Sequence, residues 1–403
     1  MNTGGPVNPW GDLVLAAKIA ECMDVNPDEK LPFTHGFHTY PARMHPCMAE
    51  RAIRRFAPKG GRVLDPFVGS GTVALEAVRA GLRFTGVDIS AVALEIAWAR
   101  TRVFKPDESR RVEREGREIA ERASKAASDD LPMPRWADGI EDWFTDHTLR
   151  EIGHVAELID GVKRPELARV LRVVLSSILV RLSKQASDSV TVVDRDYRPW
   201  PQKATYRMFS DKCSELTRSY LMLATEMHKR GVAFVEPEFW LEDTRTVKLE
   251  KGAYGLALTS PPYPGTYDYS FHHALRFPLF GEGSGFASEH EIGSRREFKS
   301  RADAPDLYHK DMTQCVKNVL DALAPGGRLL MLIGDGRFGD ETVRADLIVR
   351  DIASRLGARV AAGASQVRTE WSHGGEAIKK AEHLIMVDRA ASNASPGRSN
   401  STR

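Results

Sequence analysis

Between residues 46 and 100, short apolar runs alternate with amphipathic stretches. Pro46–Phe56 puts Met48, Ile53 and Phe56 on one face of a helix, with Arg51, Arg54 and Arg55 off it. Pro58-Lys59-Gly60-Gly61 stops that helix. Arg62–Leu64 reads as a short buried strand, and a glycine-rich turn follows. Thr72–Ala80 is the next helix, ended by Gly81. Phe84–Val87 forms a second strand closed by Asp88, and Ala91–Arg100 is helical again. Strand, turn, helix, strand, helix is the opening half of a doubly wound α/β sheet.

The alternation then breaks off. Lys105–Lys125 is dense in charge and predicts a solvated helix, and Trp143–Arg230 shows helical periods with no convincing parallel strand. Within it, Ser183–Phe209 reads as a loop. The strand pattern resumes at Ala233-Phe234-Val235 and at Tyr254–Leu258. Gly281–Ala304 reads as a Gly/Ser-rich, charged loop. Asp311–Leu323 predicts a helix capped by Pro325-Gly326-Gly327, Arg328–Ile333 a strand, Thr342–Leu356 a helix, and Arg359-Val360 and His383–Val387 the last strands. The expected organisation is an α/β sheet interrupted by a large all-α insertion. Residues 1–104 hold the first half of the sheet, 105–231 the insertion, and 232–389 the second half. The tail 390–403 is too poor in apolar residues to order itself.

Composition narrows the setting. The chain has 403 residues, 28% charged and 42% hydrophobic, with a formal net charge of only +2, which leaves any nucleic-acid surface to a local patch. The cysteines (Cys22, Cys47, Cys213, Cys315) are scattered, which supports neither a disulfide framework nor a zinc ribbon and suits a reducing, cytosolic compartment. The most apolar helix candidate, Leu167–Leu182, carries Arg169, Arg172 and Arg181, and no membrane span is expected. Met1–Trp10 lacks the pattern of a secretory signal.

Two short segments carry chemistry. The first is Asp65-Pro66-Phe67-Val68-Gly69-Ser70-Gly71-Thr72, between the first strand and its helix. Its glycines let backbone approach a ligand closely. Ala74 stands where a dinucleotide fingerprint would have its third glycine, and no P-loop Lys-Ser/Thr follows. The acid ahead of the glycines would repel a phosphate and welcome a cation. S-adenosylmethionine has a sulfonium and an ammonium and no phosphate. Asp88, about 20 residues on, suits both ribose hydroxyls, and Asp243 suits an adenine amino group. Singly, Asp65 or Asp88 reads equally well as a helix cap, and Asp243 better as a surface turn. The second segment is Thr259-Ser260-Pro261-Pro262-Tyr263. Its two prolines stiffen the turn and remove two donors, leaving carbonyls outward and unpaired. Such a turn fits an exocyclic amine, with an aromatic face to grip its base.

With both segments in place, the chain resembles the amino-group DNA methyltransferases of the cytosine-N4 or adenine-N6 type. Phe37-His38-Thr39-Tyr40-Pro41-Ala42-Arg43-Met44-His45-Pro46 is similar to the segment that precedes their cofactor motif. The resemblance implies a Rossmann-like sheet and S-adenosylmethionine held by Tyr40, Asp65, Pro66, Phe67, Gly69, Ser70, Gly71, Thr72, Asp88, Ile89 and Asp243. It implies that the target base is flipped out of DNA. Ser260 and the Pro261 carbonyl would then accept the amine protons at the Pro261-Pro262 turn, and Tyr263 would stack on the base. Neither a metal nor a covalent intermediate is called for, and Pro46-Cys47 lies in the wrong context for a ring-carbon nucleophile. Serine at the head of the motif favours cytosine N4. Adenine N6, an RNA base, or a non-catalytic DNA-binding protein with this fold are the alternatives. A nicotinamide dehydrogenase would fit the sheet pattern alone.

The insertion interrupts the chain where the family's common arrangements do not, so which part reads DNA is open. Lys184, Arg195, Arg198, Lys203 and Arg207 interleave with Tyr197, Trp200 and Tyr206, as DNA contacts or as a loop packed on the insertion. Arg43 is a further candidate contact. Arg295-Arg296 and Lys299-Arg301 read as a solvated run or a loop over the substrate. His272 and His273 support the site rather than bind metal. DNA is the expected partner, and a cognate restriction endonuclease is a second candidate.

Overall fold

The structure is a computed structural model. It describes residues 4–26, 31–40, 43–187, 190–281, 285–371 and 377–389. The segment 390–403 lies outside the described residues, as do Pro41 and Ala42.

Eight strands form one mixed sheet. They are β1 (Gly4–Gly11), β2 (Arg62–Asp65), β3 (Arg83–Asp88), β4 (Glu238–Leu241), β5 (Tyr254–Thr259), β6 (Leu323–Gly334), β7 (Arg359–Trp371) and β8 (Ala377–Asp388). Their order is β1-β7-β8-β6-β5-β2-β3-β4. Pairing is parallel from β4 through β6, and antiparallel where β8 joins β6, where β7 joins β8 and where β1 joins β7. The centre is the Rossmann-like arrangement expected from the alternation. The edge strand β1 and the helix behind it, Leu13–Met23, were not legible, because Gly-Gly-Pro-Val-Asn-Pro carries no strand signal and forms one only by pairing with β7.

Alternation along each strand sorts the core. Leu330 and Leu332 of β6 face Ala16, Met48, Ile53 and Val73 of three helices, whereas Leu329, Met331 and Ile333 face Met312, Val316, Val349 and Ile352 of two others. Burying each Leu, Ile, Val or Met side chain among these contributes on the order of 1.5–3 kcal/mol. Pro46 at the first helical position and His45 as cap start the helix Pro46–Phe56 where the pattern placed it.

The insertion is helical, as expected: Pro106–Ala123, Asp146–Asp160, Pro165–Leu182 and Ala204–Lys229 are its long helices. Several details differ from expectation. Pro106–Ala123 is not simply solvated: Val112, Gly116, Ile119 and Ala123 are buried. A side chain at Gly116 would begin 2.3 Å from the Cys213 sulfur, which shows how closely this helix crosses Ala204–Lys229. Charge at the other positions hid that stripe. The expected loop Ser183–Phe209 contains a ribbon, Gln185–Ser187 paired with Val190–Val193, and its last residues begin a helix. The expected strand at Ala233–Val235 is irregular chain. The strand lies at Glu238–Leu241, after Pro237, which cannot donate to a ladder. Short helices Gly285–His290 and Arg295–Ser300 occupy the expected Gly281–Ala304 loop. The helix expected from Thr342 begins at Ala345, and the one expected from Asp311 begins at Ala304. No described helix is long and apolar enough to cross a membrane.

Candidate active site at the carboxyl ends of the central strands

From β2 the sheet grows outward through β3 to β4, and from β5 in the opposite direction through β6. β2 and β5 are neighbours, with Leu64 beside Ala257. The crevice beyond their carboxyl ends is a topological switch point, where open α/β sheets bind ligands. Both motifs emerge there. Thr259 Oγ1 donates to Asp65 Oδ1 at 2.6 Å across 194 residues of sequence. Both residues are buried.

The turn after β2 is held from several sides. Asp65 Oδ1 also accepts from the Phe67 N–H at 3.2 Å. Burial pushes the Asp65 carboxyl up to about 7, against these two hydrogen bonds. Gly69, at φ +47°, donates its N–H to Asp88 Oδ2 at 2.8 Å, and the Ser90 N–H donates to Asp88 Oδ1 at 2.9 Å. Burial raises Asp88 to about 6, again against its hydrogen bonds. Gly71, at φ +82°, caps the helix Thr72–Arg79, and a Cβ there would lie 2.8 Å from the Ala97 Cβ. Beneath the turn, the fully buried Arg100 donates to the Ser70 carbonyl at 3.0 Å, to Ser70 Oγ at 2.6 Å and to the His38 carbonyl. Arg100 reads in sequence as an ordinary last-turn helix residue, and nothing local marks it.

Asp65→Asn tests the electrostatic cost of this arrangement. Both hydrogen bonds land on Oδ1, which asparagine keeps. A carboxyl raised to about 7 in the folded protein, from 3.8, holds its proton longer folded than unfolded. Its contribution is therefore complete below pH 3.8 and lost as pH rises through 7. Asp65→Asn should stabilise the fold at about pH 8, by on the order of 4 kcal/mol, and much less near pH 4, read as a rise in unfolding temperature. Equal shifts at both pH values would mean that the buried charge carries no penalty.

An open cleft adjoins this turn. Tyr40, Pro66, Phe67, Gly69, Asp88, Ile89, Asp243, Ser260 and Pro262 line it. A smaller recess beside it is lined by Arg43, Asp65, Gly69, Ser70, Thr72 and Ser260. The Tyr40 ring stacks on His273 at 4.7 Å and approaches Gly69. His272 and His273 are buried behind it. Asp243 lies on the cleft wall, with its carboxylate engaged by Arg245 at 2.6 Å, and Arg245 also reaches Asp311 at 2.8 Å. On the far wall, Tyr269, Ser270, His290 and Glu291 come from beyond the Pro261-Pro262 turn. Glu291 accepts from the Tyr269 N–H at 2.5 Å and from Ser270 Oγ at 2.8 Å, and burial raises its carboxyl. Sequence reasoning missed Glu291, which sits in no motif. Among the described residues lining the larger cleft there is no Lys or Arg, while Asp88, Asp243 and Glu291 all reach it. A pyrophosphate would meet carboxylates there, and a sulfonium or ammonium would be stabilised.

The proline turn after β5 departs in one respect from its expected form. The Pro262 carbonyl is not unpaired, since Tyr308 Oη donates to it at 2.9 Å. The Pro261 carbonyl has no protein donor among the described residues. Tyr263 is tied by its phenol: Oη donates to Glu382 Oε1 at 2.8 Å, and Glu382 pairs with Arg368 at 2.6 Å. Its ring lies over Gly334, where a Cβ would come within 2.6 Å. Tyr263 therefore stands beside β6, with its phenol also in hydrogen-bonding reach of the Ser260 side chain.

Of the candidate DNA contacts, Arg195, Arg198 and Arg207 are exposed on the insertion. Lys203 Nζ donates to the Ser124 carbonyl at 2.8 Å, and Arg43 turns inward to the His35 carbonyl at 2.7 Å. Asp335, Asp346 and His383 cluster away from the cleft, with their partners in the protein: Asp335 with His383 at 3.1 Å and Asp346 with Arg344 at 2.9 Å.

A sequence model of the DNA methylase family matches residues 18–98. Type II methyltransferase M.MvaI of Kocuria varians is 24% identical over 57% of this chain and 53% of its own length. Type II methyltransferase M.MjaII of Methanocaldococcus jannaschii is 34% identical over 15% of this chain and 12% of its own. The chain thus spans about half the length of the first of these relatives and far less of the second. A solved SAM-dependent methyltransferase of Methanosarcina mazei aligns over 87% of this chain and 98% of its own, at 10% identity and a TM-score of 0.32, too remote to bear on function.

Proposed function

We propose that this chain is an S-adenosylmethionine-dependent amino-group DNA methyltransferase, a reading supported by the DNA methylase match over residues 18–98 and by the type II methyltransferase relatives, and that it methylates the exocyclic N4 amine of cytosine in DNA. The observation that carries this reading is the Thr259–Asp65 hydrogen bond, at 2.6 Å, which puts a cofactor-type turn and an amine-clamping turn on one crevice.

The lining suits S-adenosylmethionine. Asp88 would take the ribose hydroxyls beside Ile89, Asp243 would lie near the adenine, and Tyr40 with the Asp65–Thr72 turn would hold the methionine end. When bound, the cofactor supplies a methyl group activated by a sulfonium. The rest falls to the chain. Ser260 Oγ and the Pro261 carbonyl accept the amine protons and draw the nitrogen lone pair out of ring conjugation. The stiff proline pair keeps these acceptors fixed, which costs no reorganisation in the transition state. Tyr263 offers its face to the base from a ring held by Glu382. Serine at position 260 favours cytosine N4 over adenine N6, the second reading.

The test is to incubate the protein with isotopically labelled cofactor and plasmid DNA and to analyse the nucleosides by mass spectrometry. N4-methylcytosine is the expected product. N6-methyladenine would replace the first reading by the second, and no labelled nucleoside would sink both.

A further inference from the structure

The insertion carries an open groove between the end of helix Pro165–Leu182, the chain at 194–200 and the helix Ala204–Lys229. Arg181, Arg198, Arg207 and Arg218 line it, and all four are exposed. None has a carboxylate within ion-pairing distance among the described residues. Arg181 lies over the Trp200 ring at 5.8 Å, and the Trp200 indole donates to the Arg181 carbonyl at 2.9 Å, which fixes an aromatic face at the rim. Of the acidic groups in the groove, Glu215 is neutralised by Lys212 at 2.9 Å, while Asp194 keeps its charge and accepts the Asp196 N–H at 3.0 Å. Asp196 and Asp211 remain as acceptors.

Three features select a polymeric anion over a small one. Arg207 and Arg218 sit on one face of one helix, eleven residues apart, or about 16 Å along its axis. That span equals about five base pairs of duplex at 3.4 Å each, far more than one phosphate covers. The groove also runs towards the cleft. Thr39 lies on its wall, and Tyr40, the next residue, lines the cofactor cleft. The ribbon whose first strand supplies Gln185 and Ala186 to the groove has its second strand, Val190–Val193, against Tyr269–His272, just beyond the Pro261-Pro262 turn.

We propose that this groove holds the phosphate backbone of the DNA beside the nucleotide delivered to the cleft, with Arg181, Arg198, Arg207 and Arg218 bound to phosphates. This rests on the DNA-methylation reading. Asp196 and Asp211 are acceptors for amino groups on base edges, the pairing that acidic side chains make with cytosine N4.

The test measures binding of a labelled, mixed-sequence duplex of about 20 base pairs over a salt series. Arg181→Ala, Arg207→Ala and Arg218→Ala combined should weaken binding and flatten the slope of log K against log salt by about 0.9 for each phosphate no longer neutralised. Arg114→Ala with Arg122→Ala, exposed on the outer side of Pro106–Ala123, should leave the slope unchanged. Cofactor affinity and unfolding temperature, read on the same variants, should stay at wild-type values. An unchanged slope in the triple variant, with the wild type binding duplex, overturns the groove assignment alone. A wild type that binds no duplex even at low salt overturns the DNA reading and the groove with it.

Discussion

Ser260→Ala should slow methyl transfer by about 10²–10³-fold, the usual loss when one preorganised partner of a developing charge is removed. Cofactor affinity should change far less. Ser260 borders both the larger cleft and the small recess, and its hydroxyl is an acceptor for the amine in the proposed clamp. The turn itself should survive the change. Pro261 and Pro262 fix the backbone, Tyr308 Oη holds the Pro262 carbonyl at 2.9 Å, and Thr259 still bonds Asp65. Single-turnover rates with saturating cofactor separate the effect on chemistry from any effect on binding. A near-wild-type rate would remove Ser260 from the mechanism. It would leave the Pro261 carbonyl as the sole acceptor.

Asp88→Ala should weaken S-adenosylmethionine binding by about 10²-fold, measured by titration calorimetry. Two hydrogen bonds to a charged acceptor, at about 1.5 kcal/mol or more each, correspond to that factor. The truncation also removes the acceptor for the Gly69 and Ser90 N–H groups, which Asp88 holds at 2.8 and 2.9 Å, and thereby loosens the turn. Asp88→Asn keeps one oxygen and should fall between. Because burial raises the Asp88 carboxyl to about 6, the wild-type affinity should decline as pH falls through that value, and the Ala variant should lack this dependence. Unaltered affinity in Asp88→Ala would show that the ribose is held elsewhere.

The parts of this site that were legible in sequence share a cause. Strand ends, Gly69, Gly71 and the proline pair are set by local backbone rules, and local rules leave a mark in adjacent residues. Glu382, Glu291 and Arg100 leave none. Glu382 reaches Tyr263 from β8, 119 residues away, and Arg100 reaches Ser70 across 30. Their roles exist only once the sheet has formed. The same holds for β1, whose glycines and prolines become a strand by pairing with β7, and for helix Pro106–Ala123, whose buried stripe was masked by charge. The strand expected at Ala233–Val235 shows the converse error. An apolar triplet looked like a strand, yet Phe234 is 39% exposed and pairing begins only after Pro237.

The helical insertion does not close a core of its own. Val112, Ile119, Leu171, Phe209 and Tyr220 belong to one apolar cluster with Ile96 and Trp98, which follow β3, and with Leu275, Phe277 and Leu279, which follow the Pro261-Pro262 turn. An engineer who wished to transplant the 106–229 module into another scaffold would have to carry Val92–Ala99 and Leu275–Ala287 along with it. A chimera cut at the sequence boundaries would strand apolar side chains on both halves.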